Sequence, residues 1–194
     1  VALLNRVGWS DDLEVEGQSI ANHLGLDWRQ VQSDVQAIDQ ELHIVPRGGR
    51  YRMISPRPLA LYLAAEAWET FPNLIGRLPG VLPTNSARLA FWARQRQMAS
   101  FRPTAQYATR ALEEPFGVQD LSSEIAIRQW GTLAASDPER GLAKMRNTLE
   151  RATLAECERI SFSARQALIG ELRRLVWPIA TFHEAALCLA LLAE

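Results

Sequence analysis

Lysine is almost missing from this chain: Lys144 alone stands against 20 arginines. With the high alanine content, this bias is what a GC-rich genome produces, and it marks no arginine chemistry by itself. Cysteine is as scarce. Cys157 and Cys188 fall in helical patterns without Cys-x-x-Cys spacing, so they read as two buried thiols in a reducing cytoplasm. The first residues do not read as a signal peptide, and no apolar run approaches the roughly 20 residues that span a bilayer. The expected location is therefore cytoplasmic, with no membrane partner. The three histidines, His23, His43 and His183, lie far apart, with no carboxylate or cysteine at ligand spacing. They read as structural or solvent-facing. There is no GxxxxGK[ST], no GxGxxG and no GxSxG, and thus no phosphate loop, dinucleotide turn or nucleophile elbow. The expectation is a non-enzymatic region with no catalytic residue, no metal site and no cofactor of its own.

Charge sets a further limit. The net charge is -1, so no global basic field draws the chain to nucleic acid. Residues 1–83 carry 7 arginines against 10 acids, and residues 84–194 carry 14 basic residues against 12 acids.

What the sequence does contain is helix, punctuated once by strand. "VALLNRVGW" reads as the end of a helix already under way. "SDDLEVEG" follows as an acidic turn, suited to solvation and to a helix N-terminus. "EGQSIANHLGL" places Ile20 and Leu24 at i and i+4, with Gly25 as a stop. Asp27 caps "WRQVQSDVQAIDQEL", where Val31, Val35, Ile38 and Leu42 recur at helical spacing and predict one buried face. "HIVPR" and "RYRMI" then read as two strands, with Gly48-Gly49 supplying a tight turn. "LALYLAAEAWETF" is an apolar helix. Helix, helix, helix, hairpin, helix is the order of a winged helix with an exit helix, expected over residues 1–71.

"PNLIGRLPGVLP" is rich in Pro and Gly and is read as a connector, residues 72–83. Residues 84–194 carry helix signals throughout. The expected caps are Asn85 or Ser86, Thr104, Ser122 and Asp137, the last followed by Pro138 at a first helical position. A break is expected near Ser161–Ser163. Short helices joined by short loops predict a HEAT-like stack. The last helix, "EAALCLALLAE", is apolar nearly all round, which calls for cover on every side. With the opening helix under way at Val1, this predicts a piece of a longer protein, truncated at both ends.

The hairpin carries the candidate interaction residues Arg47, Arg50 and Arg52. Strand alternation puts Arg50 and Arg52 on one face, placed to meet phosphates. The preceding helix argues against DNA. Asp27, Asp34, Asp39 and Glu41 stand there against Arg29 alone, and duplex DNA repels that charge. A winged helix that faces protein, in the same chain or another, is the favoured reading. The six tryptophans are spread about one per helix, as core packing requires. Arg94 and Arg96 in "RQRQ" read as a solvated face.

The stretch "LHIVPRGGRYRMISPRPLALYLAAEAW" resembles the end of the winged-helix domain that follows the nucleotide-binding core in STAND-type P-loop NTPases, relatives of AAA+ proteins. In that family the last strand leads into a short motif, Met-His-Asp in many members, and then an apolar helix. Met53, Ile54 and Ser55 occupy the matching place here. The family's histidine touches a nucleotide phosphate; Ile54 stands at that position, so the contact does not carry over. Arg52 and Ser55 are the candidates for a related nucleotide-sensing role. "LAASDPERGLAKMRNTLERA" and "LVWPIATFHEAALCLALLAE" are similar to the helical repeats that follow the winged helix in large bacterial STAND-like NTPases. Those repeats commonly serve as sensing or scaffolding arrays, many in antiphage defence. The resemblance implies an ATP- or ADP-binding core before Val1, a clamp role for the winged helix toward that core, and a protein trigger or partner on the repeats. Oligomers fit the same picture. A DNA-binding transcription regulator with a helical sensing or dimerisation domain, and a scaffold without nucleotide, stay open.

Overall fold

The expected opening helix does not form. In the computed structural model, which describes residues 1–177 and 179–192, Val7–Gly8 is instead a strand, β1. A nine-residue apolar run has too little periodicity to separate helix from strand, and Gly8 weakens a helix. Pairing decides the matter. Val7 lies opposite Arg52 and Gly8 opposite Tyr51, antiparallel.

A short 3-10 turn, Asp11–Leu13, leads into α1 (Glu14–His23). Gly25, at φ +70, ends this segment as expected. α2 (Trp28–Leu42) has the predicted bounds, and the Asp27 carboxylate accepts from Gln30 N at 2.9 Å. Gly17 on α1 lets the two helices meet: a Cβ there would sit 2.2 Å from the Trp28 ring. β2 (Arg47–Gly48) and β3 (Tyr51–Arg52) form the hairpin, with Gly49 at φ +62 in its turn. The sheet order is β1-β3-β2.

The predicted apolar helix is α3 (Arg57–Thr70), with Ala60, Ala64 and Trp68 buried one turn apart. The predicted connector is a correction. Pro72–Val81 forms α4, which buries Ile75 and Leu78 and packs on α1 and α3. Pro72 at the first position favours a helix start, and apolar burial tolerates the internal Pro79. α5 (Asn85–Gln97) begins one residue earlier than its expected caps imply, because Thr84 accepts from Ala87 N at 3.0 Å. Trp68 Nε1 donates to Gln95 Oε1 at 2.6 Å, joining α3 to α5. These elements belong to one compact unit, residues 1–103, so the boundary falls well beyond residue 83.

The second unit runs from Thr104 onward. α6 (Arg102–Ala111) carries Thr104 inside the helix, where it is buried, so Thr104 is not the cap. Ser123, not Ser122, caps α7 (Glu124–Ser136). Asp137 caps α8 (Pro138–Arg151), as expected. α9 (Leu154–Glu158) and α10 (Phe162–Leu175) are separated at the predicted break, and Ser161 caps the latter. α11 is Ile179–Leu191. Within this unit α7 packs on α8 and α10, and α11 on α8 and α10. Gly141 permits the α7–α8 approach: a Cβ there would lie 2.5 Å from that of Ala134, and Trp130 Nε1 donates to Gly141 O at 3.0 Å. The apolar α11 is not covered on all sides. Ala185 and Cys188 are buried, whereas Ile179 and Phe182 are exposed. The last two residues of the predicted closing helix lie outside the described residues. No helix among the described residues is long and apolar enough to cross a membrane.

Candidate functional site

The hairpin was expected to present three arginines on a phosphate-binding surface. The structure brings them into one region but gives them three different environments. Arg52, on β3, is buried at 2% exposure. Its Nη1 donates to Asp39 Oδ2 at 2.8 Å and to Val45 O at 2.6 Å. Its guanidinium is therefore engaged within its own unit rather than presented to solvent as the hairpin pattern predicts. The reason is what surrounds the side chain: Asp39 of α2 and the Val45 carbonyl take its guanidinium, and the Trp9 ring lies 5.9 Å from it. Arg50, in the turn, is ion-paired with Asp12. Of these three, Arg47 alone is exposed with no ion pair to a described residue. Arg50 and Arg52 do not share a surface.

Arg47, Tyr51 and Arg52 line a polar cleft of about 380 Å³ with Trp9, Gln32 and Gln36. The Arg6 guanidinium lies 4.4 Å from the Tyr51 ring centroid, and Trp9 stacks edge-on against Trp28 at 4.8 Å. Ser55, the other nucleotide-sensing candidate, is exposed, and its backbone N donates to Ile44 O at 2.8 Å. Met53 is exposed and Ile54 half-buried beside it.

The acidic turn works as structure rather than as a solvated cap. Glu16 is 1% exposed and accepts from Gly8 N at 2.9 Å and from the Thr84 hydroxyl. It thereby ties β1 to the start of α5. Glu14 accepts from Trp28 Nε1 at 2.6 Å and from Gln32 Nε2 at 3.2 Å. Sequence spacing could not find these roles, because Glu16 and Thr84 are 68 positions apart.

Other expectations also shift. Arg94 is buried rather than solvated; its guanidinium reaches Gln97 Oε1 at 3.0 Å. Burial, then the nearby charge of Arg57, pulls its pKa down from the usual arginine range. Trp68, Trp92 and Trp130 are core residues as expected, but Trp177 is exposed. His23 bonds to Leu74 O at 2.7 Å, and His43 ends α2 at φ +54. Cys188 is buried, Cys157 only half-buried. No group of three metal-ligating side chains occurs among the described residues.

In the second unit the single lysine has a defined place. Lys144 Nζ donates to Leu112 O at 2.5 Å and to Glu114 O, at the carbonyl end of α6. A cation there offsets the helix dipole. Burial holds its pKa below the ordinary lysine value. An open cleft of about 560 Å³ runs along this contact between Arg140, Lys144 and Arg151 on α8 and the 112–119 loop.

α2 stands apart from the site residues above. Its apolar stripe was expected to be buried, yet no residue of α2 is buried. Ile38 is 40% and Leu42 58% exposed. The helix touches the body through its other flank, where Gln32 meets Glu14 and Asp39 meets Arg52.

No family model matches the chain, and no curated protein or solved structure matches it.

Proposed function

We propose that this chain is a non-catalytic regulatory module. In this reading the first unit is a winged helix that docks on protein, and the second is a HEAT-like scaffold for a partner or trigger. The order β1, α1, α2, β2, β3 with strand order β1-β3-β2 supports a winged helix, with β2 and β3 as its wing and α2 as the helix that precedes it. The packing of α7, α8, α10 and α11 supports a helical array. The resemblance of residues 42–68 to STAND-type NTPases gives the reading its context: a cytoplasmic, nucleotide-dependent signalling protein whose ATP- or ADP-binding core is another part of the same protein. The winged helix would clamp that core at rest and release it when the scaffold binds its trigger.

One observation carries the docking reading. Two of the three hairpin arginines are neutralised by carboxylates of their own unit, Arg52 by Asp39 and Arg50 by Asp12, beside an acidic α2. A surface built to hold phosphates would leave those cations free.

A titration with random duplex DNA at low and moderate salt tests it. The expected result is no binding at either salt. Binding that collapses with salt and is lost in Arg47→Glu would overturn the reading in favour of a DNA-binding regulator.

A further inference from the structure

The apolar stripe on α2, half-buried at Val31 and Val35 and exposed at Ile38 and Leu42, has a finer pattern than simple amphipathicity. Val31, Val35, Ile38 and Leu42 follow one another at spacings of four, three and four. That is the a/d rhythm of a helix meant to pack along another helix. Asp27, Asp34 and Glu41 are spaced by seven, so they form one line beside the seam, at the positions that flank a coiled-coil interface. All three are exposed. The opposite flank, Gln32 and Asp39, is already engaged with Glu14 and Arg52. The open side of the seam therefore carries one sign of charge.

The seam continues past the helix start. Leu24, Leu26, Trp28 and Val31 border a small apolar groove of about 80 Å³, and Leu26 is half exposed. Such a groove serves as an anchor point for one apolar side chain at the end of a docked helix.

We infer that α2 is a docking seam for an amphipathic helix with an apolar face and basic flanks, supplied by a partner protein. This rests on the docking reading above and names the chemistry of what docks. Charge selects the occupant. A second copy of α2 is disfavoured in either direction. Parallel pairing sets Asp34 against Asp39, and antiparallel pairing sets the carboxylate lines against each other. DNA and an anionic lipid surface meet the same repulsion. A helix flanked by lysine or arginine satisfies the seam and the acidic line together.

The test uses two fluorescent helical peptides with the same leucine-isoleucine seam, one flanked by Lys and Arg, the other by Glu. Each is titrated into the 194-residue protein. Saturable binding of the basic peptide is expected, with the acidic peptide about tenfold weaker or worse. Ile38→Asp should abolish binding. The exposed pair Asp34→Lys and Glu41→Lys should reverse the preference between peptides. Circular dichroism checks each fold; should Ile38→Asp fail to fold, the charge-reversal pair decides alone. The seam is overturned by equal affinity for both peptides, by no binding of the basic one, or by a preference that survives charge reversal. Self-association or vesicle binding that disappears with Ile38→Asp overturns it too. Duplex DNA in the same assay separates the two ideas. DNA binding sinks the docking reading itself, whereas a silent basic peptide without DNA binding sinks only the seam.

Discussion

Arg52 Nη1 lies 2.8 Å from Asp39 Oδ2, so a strand residue and a helix residue 13 positions apart share one charge pair beneath the hairpin. The arginine is almost wholly buried, while the aspartate keeps a quarter of its side-chain exposure. The two ends of the pair are therefore not equivalent. Losing Asp39 leaves a buried guanidinium with the Val45 carbonyl but no counter-charge. Asp39→Ala is expected to destabilise the first unit by about 3 kcal/mol, in the range for breaking a buried pair. Arg52→Met keeps the buried stem and leaves only a partly hydrated carboxylate, so it should cost clearly less. Urea denaturation of the two variants checks the order; an equal loss would contradict it.

Glu16 makes a similar prediction through neutral partners. Its carboxylate serves Gly8 N and the Thr84 hydroxyl, two groups on different elements. Glu16→Ala leaves a buried N–H without an acceptor, a loss of about 2 kcal/mol. Glu16→Gln keeps an acceptor for Gly8 N and should recover much of that stability. Hydrogen exchange at Gly8 reports the difference directly: fast in the alanine variant, slow in the glutamine variant.

These two contacts show what the sequence could and could not reveal. The starts of α2 and α8 are legible to the residue because Asp27 and Asp137 are local caps, and a cap acts over three positions. The hairpin was legible from Gly49 and its β-rich flanks. β1 was not, since its only reason for being extended is Arg52 and Tyr51, far along the chain. The α4 segment was misread because Pro and Gly punctuate locally, while Ile75 and Leu78 are held by tertiary burial. The same limit affected the candidate site. Composition showed three arginines in the hairpin, but only the fold shows that Asp12 and Asp39 already occupy two of them. On α2 the periodicity predicts an amphipathic helix, which forms, but its own unit does not bury the apolar stripe. An amphipathic stripe says that something should cover it, not that the same unit does.

Cys188 gives a pH prediction. Burial, and next the negative charge of Glu184, pushes its thiol up to about 11 from 9. The raised folded value means that the unfolded chain gives up this proton first. The contribution is complete below pH 9 and is lost as pH rises through about 11. Its size is on the order of 2 kcal/mol. Cys188→Ala should flatten the alkaline limb of the stability profile relative to the parent protein. Thiol labelling at neutral pH should modify Cys157, which is half-buried, well before Cys188.

The last prediction concerns Glu171, which is 1% exposed on α10 and accepts from Arg128 Nη1 at 2.9 Å and Arg174 Nη1 at 3.0 Å. The two arginines keep 35% and 58% of their side-chain exposure. Here the buried partner is the carboxylate, so the asymmetry runs opposite to that of Arg52 and Asp39. Removing both arginines should cost more than replacing Glu171 with an apolar residue, because solvated guanidinium groups can turn to water and a buried carboxylate cannot. Gly131 adds a steric term. A Cβ there would fall 2.6 Å from Glu171 Oε2, so Gly131→Ala must push the carboxylate off its place. Gly131→Ala alone is expected to lose about 2 kcal/mol, the cost of overpacking a filled site. In the Glu171→Ala background the same change meets no carboxylate, and the better helix propensity of alanine then favours it. A double-mutant cycle by chemical denaturation should therefore give a coupling of at least about 1 kcal/mol. A coupling near zero would mean that the α7–α10 contact is held by other side chains and that Gly131 is tolerated rather than required.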